Sequence, residues 1–149
     1  MDEENAMWTS SPVIGFDTET TGIDPKRDRL VTCSLVAVTE EGVSKRYWLA
    51  DPDVEIPERA SAVHGITTER ARAEGRPSKE VLEEVAALLA EHMGRGHPAV
   101  AFNATYDFTL LESELDRHGL PTLAERLGGE VFPVVDPYLL DRSADRYRK

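Results

Sequence analysis

The chain has 149 residues, of which 40% are hydrophobic and 30% charged, and a formal net charge of −11. That length suits one compact domain burying about two-thirds of its unfolded surface. The negative charge argues against broad, nonspecific attraction to nucleic acid or an anionic membrane, though not against a substrate engaged through cations or a local basic loop. Cys33 is the sole cysteine, which excludes an intrachain disulfide and a cysteine-built metal cage. Its apolar setting, Leu30 to Val38, reads as core. No apolar stretch is long enough to span a membrane, and the acidic start from Met1 to Asn5 is unlike a signal peptide, so a reducing, cytoplasmic setting is expected.

In chain order, residues 1–11 read as a polar, flexible arm, and 12–149 as the folded domain. A first strand is expected near Val13 to Thr18, followed by turn chemistry at Thr21-Gly22-Ile23-Asp24-Pro25. Strands over Leu30 to Thr39 and Val43 to Leu49, joined at Glu40-Glu41-Gly42, complete a three-stranded meander. A Pro- and Asp-bearing loop, Asp51 to Pro57, leads to a short helical patch and His64-Gly65-Ile66. Thr67-Thr68-Glu69 can cap another short helix. Ser78 begins a stronger one, with Val81, Leu82, Val85, Leu88 and Leu89 at helical spacing. Ala99 to Phe102 reads as a short buried strand, Thr105 to His118 as a helix, and Val131 to Val135 as another strand. Asp136-Pro137 then opens a final helix, with Asp as N-cap and Pro in the first turn. This order predicts an α/β fold: a mixed sheet, antiparallel meander plus parallel strands, covered by helices.

The run Phe16-Asp17-Thr18-Glu19-Thr20-Thr21-Gly22 carries the most information. Alternate strand residues share a face with Cα atoms about 6.7 Å apart, so Asp17 and Glu19 point one way while Phe16 and Thr18 point the other. Two carboxylates side by side on a mostly buried strand repel and lose hydration, and divalent cations are the usual neutraliser. A solvated strand end with two harmless acids is the plain alternative. In mixed sheets, sites lie at the carboxyl ends of strands, which is where both acids fall.

A second constellation, Ala101-Phe102-Asn103-Ala104-Thr105-Tyr106-Asp107-Phe108, passes from a strand end into a helix at the same edge. Singly, each residue has an ordinary explanation. Asp107 suits the helix dipole, Asn103 suits a turn or cap, and Tyr106 and Phe108 suit the core. A third carboxylate at the edge that already holds Asp17 and Glu19 favours a metal site.

These two runs and Val63-His64-Gly65-Ile66 resemble, in order and spacing, the DEDD-type 3′–5′ exonucleases. Within that family they look most like the proofreading (epsilon) subunit of bacterial DNA polymerase III and its stand-alone cousins. The resemblance implies a ribonuclease-H-like fold and 3′–5′ hydrolysis of terminal phosphodiester bonds in DNA or RNA, in proofreading or trimming. It implies Asp17, Glu19 and Asp107 as catalytic metal ligands. Two Mg²⁺ ions, replaceable by Mn²⁺, are expected to bracket the scissile phosphate. Thr18, Thr20, Thr21, Val63, His64, Asn103 and Tyr106 then fall where the 3′-terminal nucleotide lies, with Tyr106 able to stack on any base. Lys26, Arg27 and Arg29 form the nearby basic cluster. The expected partners are a single-stranded 3′ end and a polymerase subunit.

The sequence departs from the family pattern in two places. Phe102 stands where the family often has His, a change of packing. The family's third acidic motif, a general-base His and a fourth acid, has no counterpart before Lys149, where Asp141 and Asp145 read as solvated helix residues. A C-terminally truncated domain with feeble activity is therefore expected. The alternative is a noncatalytic nuclease-like domain that binds nucleic acid or a replication partner.

Overall fold

The computed structural model describes residues 11–138. The expected N-terminal arm, Asp141 and Asp145 lie almost wholly outside that range, as does all of the final helix beyond Tyr138. Chain order within it is β1 (Val13–Thr20), β2 (Leu30–Thr39), β3 (Gly42–Asp51), α1 (Glu58–His64), α2 (Thr68–Glu74), β4 (Arg76–Pro77), α3 (Ser78–Gly94), β5 (Ala99–Val100), α4 (Ala104–Arg117), α5 (Leu123–Leu127) and β6 (Val134–Val135). The six strands form one sheet in the order β4-β3-β2-β1-β5-β6.

The expected meander is present. β1 pairs antiparallel with β2 from Val13↔Val38 to Thr20↔Leu30, with an irregularity at Glu19/Thr20. β2 pairs antiparallel with β3 from Thr32↔Leu49 to Thr39↔Gly42. The hairpin closes through Gly42, whose φ of 120° suits only glycine. β5 then joins β1 in parallel, and β6 joins β5 in parallel. The carboxyl ends of β1, β5 and β6 therefore share one rim, with β1 at the junction between the antiparallel and parallel halves.

The main core lies between the sheet and α3, α4 and α5. α3 contributes Val81, Leu82, Val85, Ala86, Leu89 and Met93, a helical stripe packed on Ile14, Phe16, Cys33, Leu35 and Trp48. Each fully buried aliphatic of this kind stabilises the fold by about 1.5–3 kcal/mol. Phe108 of α4 meets Phe16 of β1 with ring centroids 5.1 Å apart, in a tilted geometry. A smaller cluster, Val31, Ile56, Ile66 and Ala71, lies beneath α1 and α2. Cys33 is buried as expected, and burial foremost, then Asp107 and Asp17, pushes its thiol far above the ordinary value.

Two expectations need correction. The strands expected over Ala99 to Phe102 and Val131 to Val135 are only two residues each. After Val100 only Ala101 N, donating to the Val135 carbonyl at 3.2 Å, continues the ladder. Phe102 is exposed, and Asn103 turns the chain with φ 58°. α5 follows a signal that apolar spacing does not carry. Its Thr122 and Glu125 form a capping box, each side chain accepting from the other residue's backbone N–H.

Candidate active site

Backbone geometry brings the two sequence runs to the same rim. Asp17 sits opposite Ser34, Thr18 opposite Cys33 and Glu19 opposite Thr32. Asp17 is exposed and Glu19 half-buried, so the dehydration expected of this pair does not fall on Asp17. It falls on Asp107, in the first turn of α4, which is 5% exposed. The Thr18 hydroxyl donates to Asp107 Oδ1. Burial, the leading cause, raises the Asp107 carboxyl from 3.8 to about 6; the Thr18 hydrogen bond opposes the rise, and Asp17, Asp136 and Glu19 add to it. The three acids are thus coupled electrostatically.

The start of α4 is held from outside the helix. Asn103 occupies the cap position in the left-handed region and makes no side-chain cap bond. Asp136, at the end of β6, accepts from Asn103 N at 3.2 Å and Ala104 N at 2.8 Å. It also accepts from Tyr138 N at 2.9 Å, so the expected capping of its own helix is shared with α4. A carboxylate there also favours the positive end of the helix dipole.

The loop after β1 is shaped by its own polar groups. Tyr106 Oη and Thr20 Oγ1 stand 2.6 Å apart, and both reach the Gly22 carbonyl. Thr21, expected at the terminal sugar, is buried, and its hydroxyl donates to Asp28 Oδ1 at 2.8 Å while accepting from Arg29 N at 2.9 Å. Thr21 therefore shapes the loop rather than offering a free hydroxyl. Asp28 also accepts from Asp24 N at 2.8 Å. Sequence reasoning missed Asp28, whose signal was the Asp24-Pro25 turn closing four residues later. Lys26 and Arg27 are exposed at this loop, while Arg29 donates to the Pro52 carbonyl at 3.2 Å.

His64 ends α1, and Gly65 follows with φ 79° in the left-handed cap position. Ile66 N donates to His64 Nδ1 at 3.1 Å, leaving Nε2 as the protonated nitrogen, 3.2 Å from the Thr20 carbonyl. Both nitrogens are engaged. A cleft of about 880 Å³ opens between this wall and the rim, lined by Thr18, Glu19, Thr20, Val63, His64, Asn103 and Tyr106 among others. Of the ten site residues expected from sequence, eight including Thr21 line this cleft, and Asp107 is tied to it through Thr18.

The donor set suits a hard divalent cation. Its groups are all carboxylates, and Asp107 is a buried acid that feels three further negative charges, Asp17, Asp136 and Glu19, and accepts from the Thr18 hydroxyl. The cage is not closed, however: among the described residues no group of three His, Cys, Asp or Glu stands close enough to hold one ion.

The mixed six-stranded sheet covered by helices is the ribonuclease-H-like fold, and solved exonucleases share that fold. Exonuclease I superposes with a TM-score of 0.75 at 19% identity, covering 93% of this chain and 32% of its own. E. coli exonuclease I in complex with a dA16 oligonucleotide gives 0.75 at 18%, covering 93% and 31%. The exonuclease family model RNase_T matches residues 14–120, and the chain belongs to that family. The DNA polymerase III PolC-type protein of Streptococcus thermophilus is 25% identical over 134 residues, covering 89% of this chain and 8% of the relative. The DNA polymerase III subunit epsilon of Treponema pallidum is 31% identical over 101 residues, 67% of this chain and 44% of the relative. The chain spans less than half the length of these relatives. No helix among the described residues is long and apolar enough to cross a membrane.

Proposed function

We propose that this chain is a cytoplasmic 3′–5′ exonuclease domain that removes terminal nucleotides from single-stranded DNA or RNA ends, in proofreading beside a polymerase subunit or in trimming. The observation that carries the reading is the buried, electrostatically stressed Asp107 at the rim that also holds Asp17 and Glu19. Asp17, Glu19 and Asp107 would hold Mg²⁺ ions, which when bound supply an acidified water and charge stabilisation at the scissile phosphate. The chain's own residues do the positioning. Thr18 orients the Asp107 carboxyl, and Asp136 fixes the turn of helix that presents it. The Tyr106–Thr20–Gly22 contacts set the cleft floor, with the Tyr106 ring beside the incoming base and Val63 and His64 on the facing wall. Asn103 stands at the mouth of α4.

His64 is engaged at both nitrogens, so it does not serve as the general base. With no other histidine lining this cleft, proton removal is left unassisted among the described residues, and such assistance is typically worth about 10²–10⁴-fold. Slow turnover by this chain is the expected result. The open donor set favours one competing reading, a noncatalytic domain that binds nucleic acid or a replication partner. A 5′-labelled single-stranded oligonucleotide with Mg²⁺ or Mn²⁺ separates the two. The proposal expects a ladder shortening from the 3′ end that disappears with EDTA and in Asp17→Asn. Binding without any shortening, in either metal, would favour the noncatalytic reading.

A further inference from the structure

At the opposite rim, the amino ends of β1 and β5, a second polar cleft of about 510 Å³ contains a histidine pair that the exonuclease reading does not use. His92, in the last turn of α3, and His97, just beyond it, face each other with Nδ1 atoms 3.1 Å apart. Their ring centroids lie 5.3 Å apart with planes inclined at 46°. The turn between them is fixed by its backbone: Arg95 N and His97 N both donate to the His92 carbonyl at 3.1 Å, and Gly96 N donates to the Met93 carbonyl at 2.9 Å. Gly96 adopts φ 87° there, so the closed turn brings the two residues within reach of each other.

That spacing has a chemical meaning. Two imidazole nitrogens bound to one ion at about 2.1 Å each stand about 3.0 Å apart in octahedral and about 3.4 Å apart in tetrahedral geometry. Without an ion, the same approach is a hydrogen bond in which one proton lies on the line between the two nitrogens. An ion of imidazole preference takes that proton's place once the two rings turn so that both lone pairs converge beside the line between them. Imidazole favours borderline ions such as Zn²⁺ and Cu²⁺ over the hard ions suited to the carboxylate rim. The surrounding charge is mixed: Glu40, Glu41 and Glu91 line the cleft, as do Arg46 and Arg95. Both guanidiniums have partners, Arg95 on Glu91 at 3.2 Å and Arg46 on Glu84 at 3.2 Å.

We propose that His92 Nδ1 and His97 Nδ1 form a two-nitrogen site for a Zn²⁺- or Cu²⁺-class ion, with water completing its coordination. No third His, Cys, Asp or Glu among the described residues joins the pair, so the site is open to an exogenous ligand.

Cu²⁺ titrated into the metal-free chain, followed by electron paramagnetic resonance, tests this. The expected result is one bound ion showing coupling to two nitrogens, lost or weakened at least tenfold in His92→Gln and His97→Gln. The same signal should survive in His64→Gln and in Asp17→Asn/Asp107→Asn, which separates it from the candidate active site. Zn²⁺ should raise the melting temperature of the parent chain and of neither His variant. Should His92→Gln fail to fold by circular dichroism, His97→Gln on the turn decides. Oxygen-only coordination, a signal unchanged in His97→Gln, or no stoichiometric binding at about 100 µM Cu²⁺ would overturn the assignment.

Discussion

Replacing Asp107 by Asn removes a charge that the fold holds against its preference, so the variant should be more stable than the parent. The Asp107 carboxyl rises from 3.8 in an unperturbed chain to about 6 in the fold. At about 1.4 kcal/mol per pH unit, keeping it ionised at pH 8 costs about 3 kcal/mol, a ceiling because water still reaches the rim. The sign follows from proton counting. Below pH 3.8 both folded and unfolded chains are protonated at this position, and its full contribution is present. As pH rises toward about 6 the unfolded chain releases its proton before the folded one does, so stability is lost, and above that the loss is constant. Asn keeps an oxygen to accept from Thr18, so packing and hydrogen bonding carry little of the difference. Urea or thermal unfolding of both chains in EDTA should therefore show Asp107→Asn gaining up to about 3 kcal/mol at pH 8, or about 10 °C. About half of that gain should remain at pH 5, and it should vanish at lower pH. A variant no more stable than its parent at pH 8, or a difference independent of pH, would refute the reasoning.

Thr18→Val takes from Asp107 its hydroxyl donor among the described residues and should cost about 1–3 kcal/mol at pH 8 in EDTA, read by urea unfolding; no loss would contradict the role given to Thr18. Arg117→Ala leaves Glu114 fully buried with, among the described residues, the Leu30 N–H at 2.9 Å as its remaining donor, and should cost about 3 kcal/mol. Glu114→Gln/Arg117→Ala should recover much of that loss in the same unfolding assay. Gly22→Ala places a Cβ 2.6 Å from the Asp28 carboxylate, so the Asp28 side chain must shift and its bonds to Thr21 and Asp24 weaken. Oligonucleotide shortening should fall at least tenfold while the melting temperature drops only a few degrees.

What was legible in the sequence was whatever depended on local period and local chemistry. Ile14 and Phe16 alternating with polar residues, the β2–β3 hairpin and the α3 stripe all express which face a side chain takes in its own element. The rim positions of Asp17, Glu19 and Asp107 follow from strand and helix register in the same way. Residues acting across the chain were not. Asp136 looked like a cap for its own helix, and nothing in its neighbourhood reveals that it also closes the start of α4, thirty-two residues away. Thr21 looked available because its partners, Asp28 and Arg29, come into range only once the loop folds back. The Asp17–Glu19 crowding was read from separation along a strand. The greater burial belongs to Asp107, because the first turn of α4 presses it against Thr18 of β1 while solvent reaches Asp17. The His92–His97 pairing depends on a left-handed Gly96, which spacing alone does not specify.

The measurement closest to the central claim is Mn²⁺ binding at the acidic rim, followed by the loss of the free-ion paramagnetic resonance signal at neutral pH. Binding by the parent chain should weaken at least tenfold in each of Asp17→Asn, Glu19→Gln and Asp107→Asn, and be unchanged in His97→Gln. Equal Mn²⁺ affinity in the parent and all three carboxylate variants would contradict it.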